Sequence, residues 1–238
     1  MKVVAIIQSR TGSTRLPRKA LARIGRRTIT EHVIARVQAA KLVDEVWLAV
    51  PHYDRKLAKL AIKRGCKAYV HSGKEADVLG RYYQCAIRAE ATWVVRVTGD
   101  CCLIDPTVID ACVKLALQEP QAKYCSNVWP ESERTYPDGL DVEVFHIGML
   151  QAAQFYVKDC ELQMREHVCG YFHLHAGDGI KTLKQADDDS RHRWVVDTPA
   201  DLEWMRSIHK RLKFSGVHPT HGELMGLLYA NPKLRRVT

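Results

Sequence analysis

The sequence predicts an α/β fold with a doubly wound, mostly parallel sheet and an inserted α+β subregion. Through the first half of the 238 residues, short apolar runs with the length of buried strands alternate with segments of helical periodicity. Such alternation is typical of parallel sheets joined by right-handed crossovers. From Asn127 onward the composition becomes more polar. We therefore predict one domain over residues 1–238, with residues 127–184 inserted into it.

In the first half, each predicted strand is followed by a predicted helix. Residues 3–7 form a continuous apolar run, as expected of a strand buried on both faces. Thr28 and Glu31 form a capping box at the start of the first helix, and Asp105 followed by Pro106 marks another helix start. Further strands are predicted over 46–50, 67–70 and 93–97 and near Cys125, and further helices after Asp54 and over 77–88.

The second half opens with a polar segment, residues 127–138, that is predicted to be a long loop. Thr198 and Pro199 combine an N-cap with a first-turn proline and predict a helix after them. The other elements predicted in this half are strands over 141–146, 180–184 and 193–196 and helices over 148–156, 164–172 and 220–229.

The charge balance favours an anionic partner. Lys and Arg outnumber Asp and Glu by 36 to 27, which gives a formal charge of +9. No apolar run approaches the ~20 residues that a membrane helix needs, and the first run is too short for a signal peptide. The eight cysteines form no C-x-x-C pair and are expected to be free, mostly buried thiols. We predict a cytoplasmic protein without a membrane segment.

The segment 8–19, directly after the first predicted strand, is the strongest candidate for a binding loop. Gly12 and Pro17 prevent it from continuing as a strand. The loop combines four cations, Arg10, Arg15, Arg18 and Lys19, with hydroxyl side chains. Backbone N–H groups and guanidinium groups at a sheet edge suit a polyphosphate. The alternative is a solvated basic loop, and the segment matches neither the Walker loop nor the dinucleotide fingerprint.

Two aspartates are candidate Mg²⁺ ligands. Asp100 follows the predicted strand 93–97, and Asp197 follows the predicted strand 193–196. Carboxylates at the sheet edge that holds a phosphate loop are suitable ligands for Mg²⁺, which takes its other ligands from phosphates and water. The alternatives are a turn aspartate after Gly99 and a residue ahead of the helix N-cap at Thr198.

A third group of polar residues lies in the inserted subregion. Asp141 and Glu143 are two positions apart on a predicted strand, so their side chains point the same way. They could accept hydrogen bonds from sugar hydroxyls or an amine. Asp138 belongs to a Pro-Asp-Gly sequence, which is a turn signal by itself. The triplet 165–167, Arg-Glu-His, is a candidate acceptor or subunit contact, or simply an amphipathic helix surface.

The order of these blocks resembles the bacterial cytidylyltransferases, most closely the spore-coat polysaccharide (SpsF-type) branch. More distantly, it is similar to the enzymes that activate 3-deoxy-manno-octulosonate and acylneuraminate as CMP-sugars. The resemblance extends over residues 3–205. The motifs are Gln8-x-Arg10-x-Gly12-Ser13-Thr14-Arg15-Leu16-Pro17-x-Lys19, Asp77-Val-Leu-x-Arg81-Tyr-Tyr, Thr98-Gly-Asp100-Cys-x-Leu-Ile-Asp-Pro, Tyr136-Pro-Asp-Gly-Leu-Asp-Val-Glu143, Arg165-Glu-His-Val and Arg193-Trp-x-Val-Asp197-Thr-Pro.

The resemblance implies a nucleotide-diphospho-sugar transferase fold and Mg²⁺-dependent transfer of CMP from CTP to a sugar acid or related acceptor. It further implies a homodimer built through the inserted subregion. The residues expected to bind the nucleotide are Gln8, Arg10, Gly12, Ser13, Arg15 and Lys19, to which we add Arg96. Lys19, Arg15 and Asp100 are expected to take part in catalysis, Asp100 and Asp197 to bind the metal, and Asp138, Asp141, Glu166 and His167 to bind the acceptor.

Several positions depart from the pattern of the family. Arg18 stands where glycine is usual, Gly80 where aspartate is usual, Cys102 where proline is usual, and Cys169-Gly170 where Thr-Pro is usual. The alternatives from other classes are a metal-dependent glycosyltransferase and a nucleic-acid binder. The basic loop suits a triphosphate better than a nucleotide sugar, and it lacks the interleaved aromatics of a nucleic-acid site.

Overall fold

The structure is a computed structural model that describes residues 1–212 and 219–237. The strands in these ranges are β1 (Val3–Gln8), β2 (Arg23–Ile24), β3 (Arg27–Thr28), β4 (Glu45–Pro51), β5 (Lys67–His71), β6 (Trp93–Thr98), β7 (Tyr124–Ser126), β8 (Glu143–His146) and β9 (Ile180–Thr182). The α-helices are α1 (Ile29–Val37), α2 (Arg55–Lys63), α3 (Val78–Arg88), α4 (Pro106–Gln118), α5 (Ile147–Tyr156), α6 (Leu162–His167), α7 (Gly170–His175), α8 (Pro199–Leu212) and α9 (His221–Ala230).

Within these ranges the main sheet has seven strands in the order β5-β4-β1-β6-β8-β7-β9. β1 lies between β4 and β6 and pairs in parallel with both. β8 is antiparallel to β6 and β7, while β9 again runs parallel to β7. The predicted doubly wound, mostly parallel α/β fold is confirmed. The single-domain boundary and the limits of the insertion stay predictions.

β1 is apolar on both faces because helices cover both sides of the sheet. Val3, Ala5 and Ile7 belong to one hydrophobic cluster, which also includes buried residues of α1 and α4. Val4 and Ile6 belong to a second cluster with buried residues of α3 and α5. Successive strand residues alternate between the two faces, so a continuous apolar run is required here.

The helix-start signals were largely correct. Thr28 and Glu31 form the predicted capping box at α1, and Asp105 caps α4 through the Thr107 N–H. The helix predicted after Thr198 is α8. At its start the Asp201 carboxylate accepts hydrogen bonds from the N–H groups of Asp197 and Thr198. These short polar signals act locally and are therefore readable from sequence.

Two predicted elements were wrong. Residues 193–196 do not form a strand. Among the described residues, their strand-like pairing consists of one isolated bridge between Arg193 and Asp138. The helix predicted over 164–172 is divided into α6 and α7 at Val168, which has a φ of 60°. The Cys169 N–H donates to the His167 carbonyl at 2.6 Å, which closes a three-residue turn there.

The sheet register brings two of the predicted functional segments together. Gln8, the last residue of β1, is the register partner of Thr98, the last residue of β6. The loop after Gln8 and the Gly99-Asp100 segment therefore begin side by side at the carboxyl edge of the sheet. This is the edge where open α/β sheets bind ligands.

The prediction for the cysteines is confirmed. All eight are free, and all except the exposed Cys160 are buried. None of the helices in the described ranges is both long enough and apolar enough to cross a membrane.

Candidate active site

A polar cleft lies at the carboxyl edge of the sheet. One wall is the loop after β1, and the opposite wall comes from residues of the 138–141 turn, α6 and the 195–197 segment. The predicted site residues that line the cleft are Gln8, Arg10, Gly12, Ser13, Arg15, Lys19, Asp100, Asp138, Asp141, Glu166 and Asp197. The sheet edge therefore gathers residues that are up to 189 positions apart in sequence, from Gln8 to Asp197.

Lys19 joins the two predicted metal aspartates. Its Nζ lies 2.9 Å from Asp100 Oδ2 and 2.8 Å from Asp197 Oδ1. One ammonium group thus donates hydrogen bonds to both carboxylates. The two carboxylates converge on a single point, and that point faces the basic loop.

Asp197 also contacts two arginines. Its Oδ2 lies 3.1 Å from Arg15 Nη2 and 3.0 Å from Arg193 Nη2. Arg193 further bonds Asp201, whose carboxylate fixes the backbone of residues 197–198. The position of Asp197 is therefore set by the start of α8 and by ion pairs, rather than by the strand that we predicted.

The charges in this group stabilise each other. Burial alone would lower the pKa of Lys19, but the charge of Asp100 and hydrogen bonds to both aspartates outweigh burial and raise it. Burial alone would raise the pKa of Asp100, but Lys19 outweighs it and keeps that pKa below its ordinary value. Lys19 and Asp100 therefore form a charged ion pair at neutral pH.

The opposite wall carries a second carboxylate pair. Arg134 Nη2 lies 2.6 Å from Asp141 Oδ1 and 3.9 Å from Asp138 Oδ1, and Arg193 Nε lies 3.4 Å from Asp138 Oδ2. Burial raises the pKa of Asp141 to about 6 although Arg134 acts in the opposite direction. Burial likewise raises the pKa of Asp138. These groups can accept hydrogen bonds from a hydroxyl-rich ligand.

Arg165 and Glu166 have different roles in α6. Arg165 is buried and binds Asp77, at the start of α3, at 2.7 Å, and it also donates to the carbonyl of Val157. Glu166 lines the cleft, and its Oε1 lies 4.0 Å from Arg10 Nη2. Arg165 is thus structural, while Glu166 reaches the predicted nucleotide loop.

Comparison with known proteins identifies the family of the chain. A sequence model described as cytidylyltransferase matches residues 4–205. The chain belongs to the cytidylyltransferase family. It is therefore an enzyme, a CTP-dependent nucleotidyltransferase.

Relatives of this cytidylyltransferase match it over nearly its whole length. An uncharacterized protein of Methanocaldococcus jannaschii is 33% identical over 242 residues, which cover 100% of this chain and 94% of that protein. The spore coat polysaccharide biosynthesis protein SpsF of Bacillus subtilis is 26% identical over 245 residues, which cover 97% of this chain and 95% of SpsF.

Solved structures show the same fold. A cytidylyltransferase from Leptospira borgpetersenii has a TM-score of 0.88 and 28% identity, with coverage of 98% of this chain and 96% of that chain. A CMP:2-keto-3-deoxy-manno-octonic acid synthetase complexed with CTP has a TM-score of 0.71 and 21% identity, with coverage of 89% and 100%. The nucleotidyltransferase fold predicted from the sequence is confirmed.

Two predicted site residues of the cytidylyltransferase lie outside the cleft lining. Arg96 forms a buried ion pair with Glu143, its register partner in β8. Glu143 also accepts a hydrogen bond from Tyr124 Oη at 2.9 Å. We correct the prediction for Arg96, because it lies within β6 and is bound to the neighbouring strand. His167 is exposed at the end of α6, and only Glu166 of its triplet lines the cleft.

Asp54 is a site residue that sequence reasoning missed. The sequence predicts only a helix after it, and its side chain makes no cap bond to that helix, α2. Instead the buried Asp54 carboxylate accepts hydrogen bonds from the Thr11 N–H at 2.8 Å and from Thr11 Oγ1 at 2.5 Å. It therefore fixes the basic loop from the start of α2, just after β4. No local signal distinguishes this contact from an ordinary helix start.

Glycine is required at two positions where another part of the chain lies too close for a side chain. A Cβ at Gly99 would lie 2.6 Å from the carbonyl oxygen of Gln8, where the two strand ends meet. Gly139 has a φ of 107°, and a Cβ there would lie 2.8 Å from the Trp194 carbonyl carbon. Both walls of the cleft thus depend on a position without a side chain.

Proposed function

We propose that this enzyme transfers the cytidylyl group of CTP to a hydroxyl oxygen of a sugar acid or a related polysaccharide precursor, and that pyrophosphate is released. The observation that carries the proposal is the convergence of Asp100 and Asp197 on the ammonium of Lys19, in a cleft that Arg10 and Arg15 also line. A triphosphate and a divalent cation are the ligands that such an arrangement suits.

The residues present fit a Mg²⁺ ion. The Lys19 ammonium already acts as a cation between Asp100 and Asp197. Across residues 1–212 and 219–237, no group of three or more His, Cys, Asp or Glu side chains forms a metal cage. Two protein carboxylates are what Mg²⁺ uses when phosphates and water complete its coordination. When bound, the ion would neutralise phosphate charge and lower the pKa of a coordinated hydroxyl.

The loop residues supply the positive charge that the reaction requires. An acceptor oxygen must approach a polyanion, and unit charges 4 Å apart interact by about 4 kcal/mol at an effective dielectric constant of about 20. Arg10, Arg15 and Lys19 would bind the phosphates, reduce this repulsion and stabilise the pyrophosphate as it leaves. The acceptor oxygen bonds to the α-phosphorus, the hydroxyl proton passes to solvent, and the bond between the α-phosphorus and the pyrophosphate oxygen breaks. Positioning and charge dominate such a step.

The acceptor would lie against the wall that carries Asp138, Asp141 and Glu166. These side chains line the cleft opposite the basic loop. Carboxylates can accept hydrogen bonds from several sugar hydroxyls and orient one of them toward the nucleotide. The spore coat polysaccharide name of one relative supports an acceptor from polysaccharide biosynthesis.

A pyrophosphate-release screen tests the proposal. The four nucleoside triphosphates would each be combined with Mg²⁺ and a panel of sugar acids, amino-sugar acids and phosphorylated polyols. We expect acceptor-dependent release from CTP and much less from the other three. Equal release from all four, or release that does not depend on any acceptor, would contradict the proposal.

We further propose a cytoplasmic homodimer formed through the inserted subregion. The exposed apolar side chains of α5, α6 and α7 support it, namely Phe155, Tyr156, Leu162 and Leu174. Apolar side chains that cluster on one surface are typical of subunit contacts. The seven buried free thiols agree with a reducing compartment. We retain the predictions that the partners include no nucleic acid and no membrane.

A further inference from the structure

Arg81 in α3 is a buried cation at the edge of the cleft. Only 2% of its surface is exposed, yet it is one of the cleft-lining residues. Its Nη2 donates to the main-chain carbonyl of Glu75. Its Nε is enclosed and has no hydrogen-bond acceptor among the described residues. No carboxylate in residues 1–212 and 219–237 forms an ion pair with it.

The other buried arginines of this enzyme have several acceptors. Arg165 binds Asp77 at 2.7 Å and donates to the Val157 carbonyl, and Arg36 donates to the carbonyls of Ile104 and Pro219. A buried charge that has no counter-ion is costly, because it loses hydration without an ionic contact in return. Burial accordingly lowers the pKa of Arg81, and the charge of Arg10 acts in the same direction. Arg81 thus has fewer hydrogen-bond acceptors among the described residues than Arg36 or Arg165.

A second enclosed polar atom lies in the same cleft. Gln8 Oε1 is buried without a hydrogen-bond donor among the described residues. Arg81 Nε and Gln8 Oε1 are thus two enclosed polar atoms that have no hydrogen-bond partner among the described residues, and both belong to side chains that line the cleft.

We propose that Arg81 binds an anionic oxygen of a substrate, either a phosphate of the nucleotide or a carboxylate of the acceptor. This inference rests on the proposed function only for the identity of those substrates. Arg10 is bound by Glu75 at 2.7 Å, and the Glu75 carbonyl holds Arg81. The segment around Glu75 thus places both guanidinium groups beside the basic loop, where an anion can bridge them.

The test compares wild type, Arg81→Met and the control Arg88→Met by calorimetry. Arg88 is an exposed arginine at the end of the same helix. The two probes are CTP with Mg²⁺, as the phosphate source, and 3-deoxy-manno-octulosonate, as a carboxylate source. Neither titration requires turnover, so the result is independent of whether pyrophosphate release is observed.

We expect Arg81→Met to weaken binding of one probe at least tenfold while its melting temperature stays equal to that of wild type or rises. The weakened probe identifies the anion. Unchanged dissociation constants for both probes would overturn the proposal. If Arg81→Met does not fold, Arg81→Lys decides, because it keeps the charge but loses the planar fork. At least threefold weaker binding of one probe supports the proposal, and unchanged binding overturns it.

Discussion

At the scale of single residues, Lys19 has two sets of partners that it cannot satisfy at once. In this structure its ammonium bonds Asp100 and Asp197, and it is largely buried between them. In the proposed reaction the same ammonium binds phosphate, while the aspartates bind a divalent ion. The arrival of the nucleotide would therefore free the carboxylates for the metal.

Lys19→Met should separate these two roles. Without the competing ammonium, nucleotide-free protein should bind Mn²⁺ at least tenfold more tightly, because a hydrogen bond to a charged group contributes about 1.5–3 kcal/mol. The same variant should bind CTP more weakly. Mn²⁺ binding can be followed by electron paramagnetic resonance. The control is Lys56→Met, an exposed lysine on α2. Mn²⁺ affinity equal to or below that of wild type would contradict this role of Lys19.

The pair of Asp77 and Arg165 predicts a pH effect on stability. Burial alone would raise the pKa of Asp77, but the neighbouring His71 side chain, the hydrogen bond from the Gly80 N–H and the Arg165 guanidinium lower it to about 2. A carboxyl group with a depressed pKa stabilises the fold above its ordinary value of 3.8, and that contribution is lost as the pH falls toward 2.

Urea denaturation at pH 5 and pH 3 tests this effect. The free energy of unfolding of wild type should fall by about 1 kcal/mol more than that of Asp77→Asn over this range. Asp159→Asn is the control, since Asp159 is an exposed carboxylate 3.7 Å from the same guanidinium. The same decline in wild type and Asp77→Asn would show that Asp77 makes no such contribution.

At the scale of elements, the start of α2 holds the basic loop. Asp54 bonds both the N–H and the hydroxyl of Thr11, so the loop keeps its shape before any ligand binds. Preorganisation of this kind lowers the entropy that is lost when a ligand binds. The sequence does not show this contact, because Thr11 and Asp54 are brought together only by the pairing of β1 with β4.

Asp54→Ala should weaken CTP binding about tenfold, which corresponds to about 1.4 kcal/mol. The loss of the acceptor leaves the Thr11 N–H unbonded and the loop less ordered. Asp110→Ala is the matched control, because Asp110 accepts from the N–H groups of Lys41 and Leu42 at 3.0 and 2.8 Å outside the cleft. Calorimetry with CTP measures both. Equal affinities in Asp54→Ala and wild type would contradict the role of Asp54.

The sequence predicts a structural feature correctly where neighbouring residues cause that feature. Buried runs such as residues 3–7 and polar caps such as Thr28 and Asp105 depend on neighbouring residues, and they were predicted correctly. The basic loop and Asp100 were recognisable because both follow apolar strands. Their convergence follows from the parallel register of β1 and β6.

Other features depend on partners that are distant in sequence. Trp194 and Val196 are buried like strand residues, yet they belong to a segment held by packing and ion pairs. The break at Val168 gives a β-branched residue a positive φ, which sequence propensity argues against. Arg96 resembles a cleft residue by position, but β8 inserts beside it and supplies Glu143.

At the scale of the whole molecule, the apolar side chains of the inserted subregion predict self-association. Phe155 is 81% exposed and Leu162 is 60% exposed. The double variant Phe155→Ser and Leu162→Ser should shift the protein from dimer to monomer in light scattering coupled to gel filtration. Ile62→Ser, at an exposed apolar position on α2, should remain dimeric. A monomeric wild type would contradict the proposed homodimer.

We propose that Asp100 and Asp197 together hold a divalent ion beside the nucleotide. The most direct test is a Mn²⁺ titration, followed by electron paramagnetic resonance, in the presence of a non-hydrolysable CTP analogue. Asp100→Asn and Asp197→Asn should each lose tight Mn²⁺ binding, whereas Asp110→Asn should retain it. If either of the first two variants binds Mn²⁺ as tightly as wild type, the two carboxylates do not form the metal site.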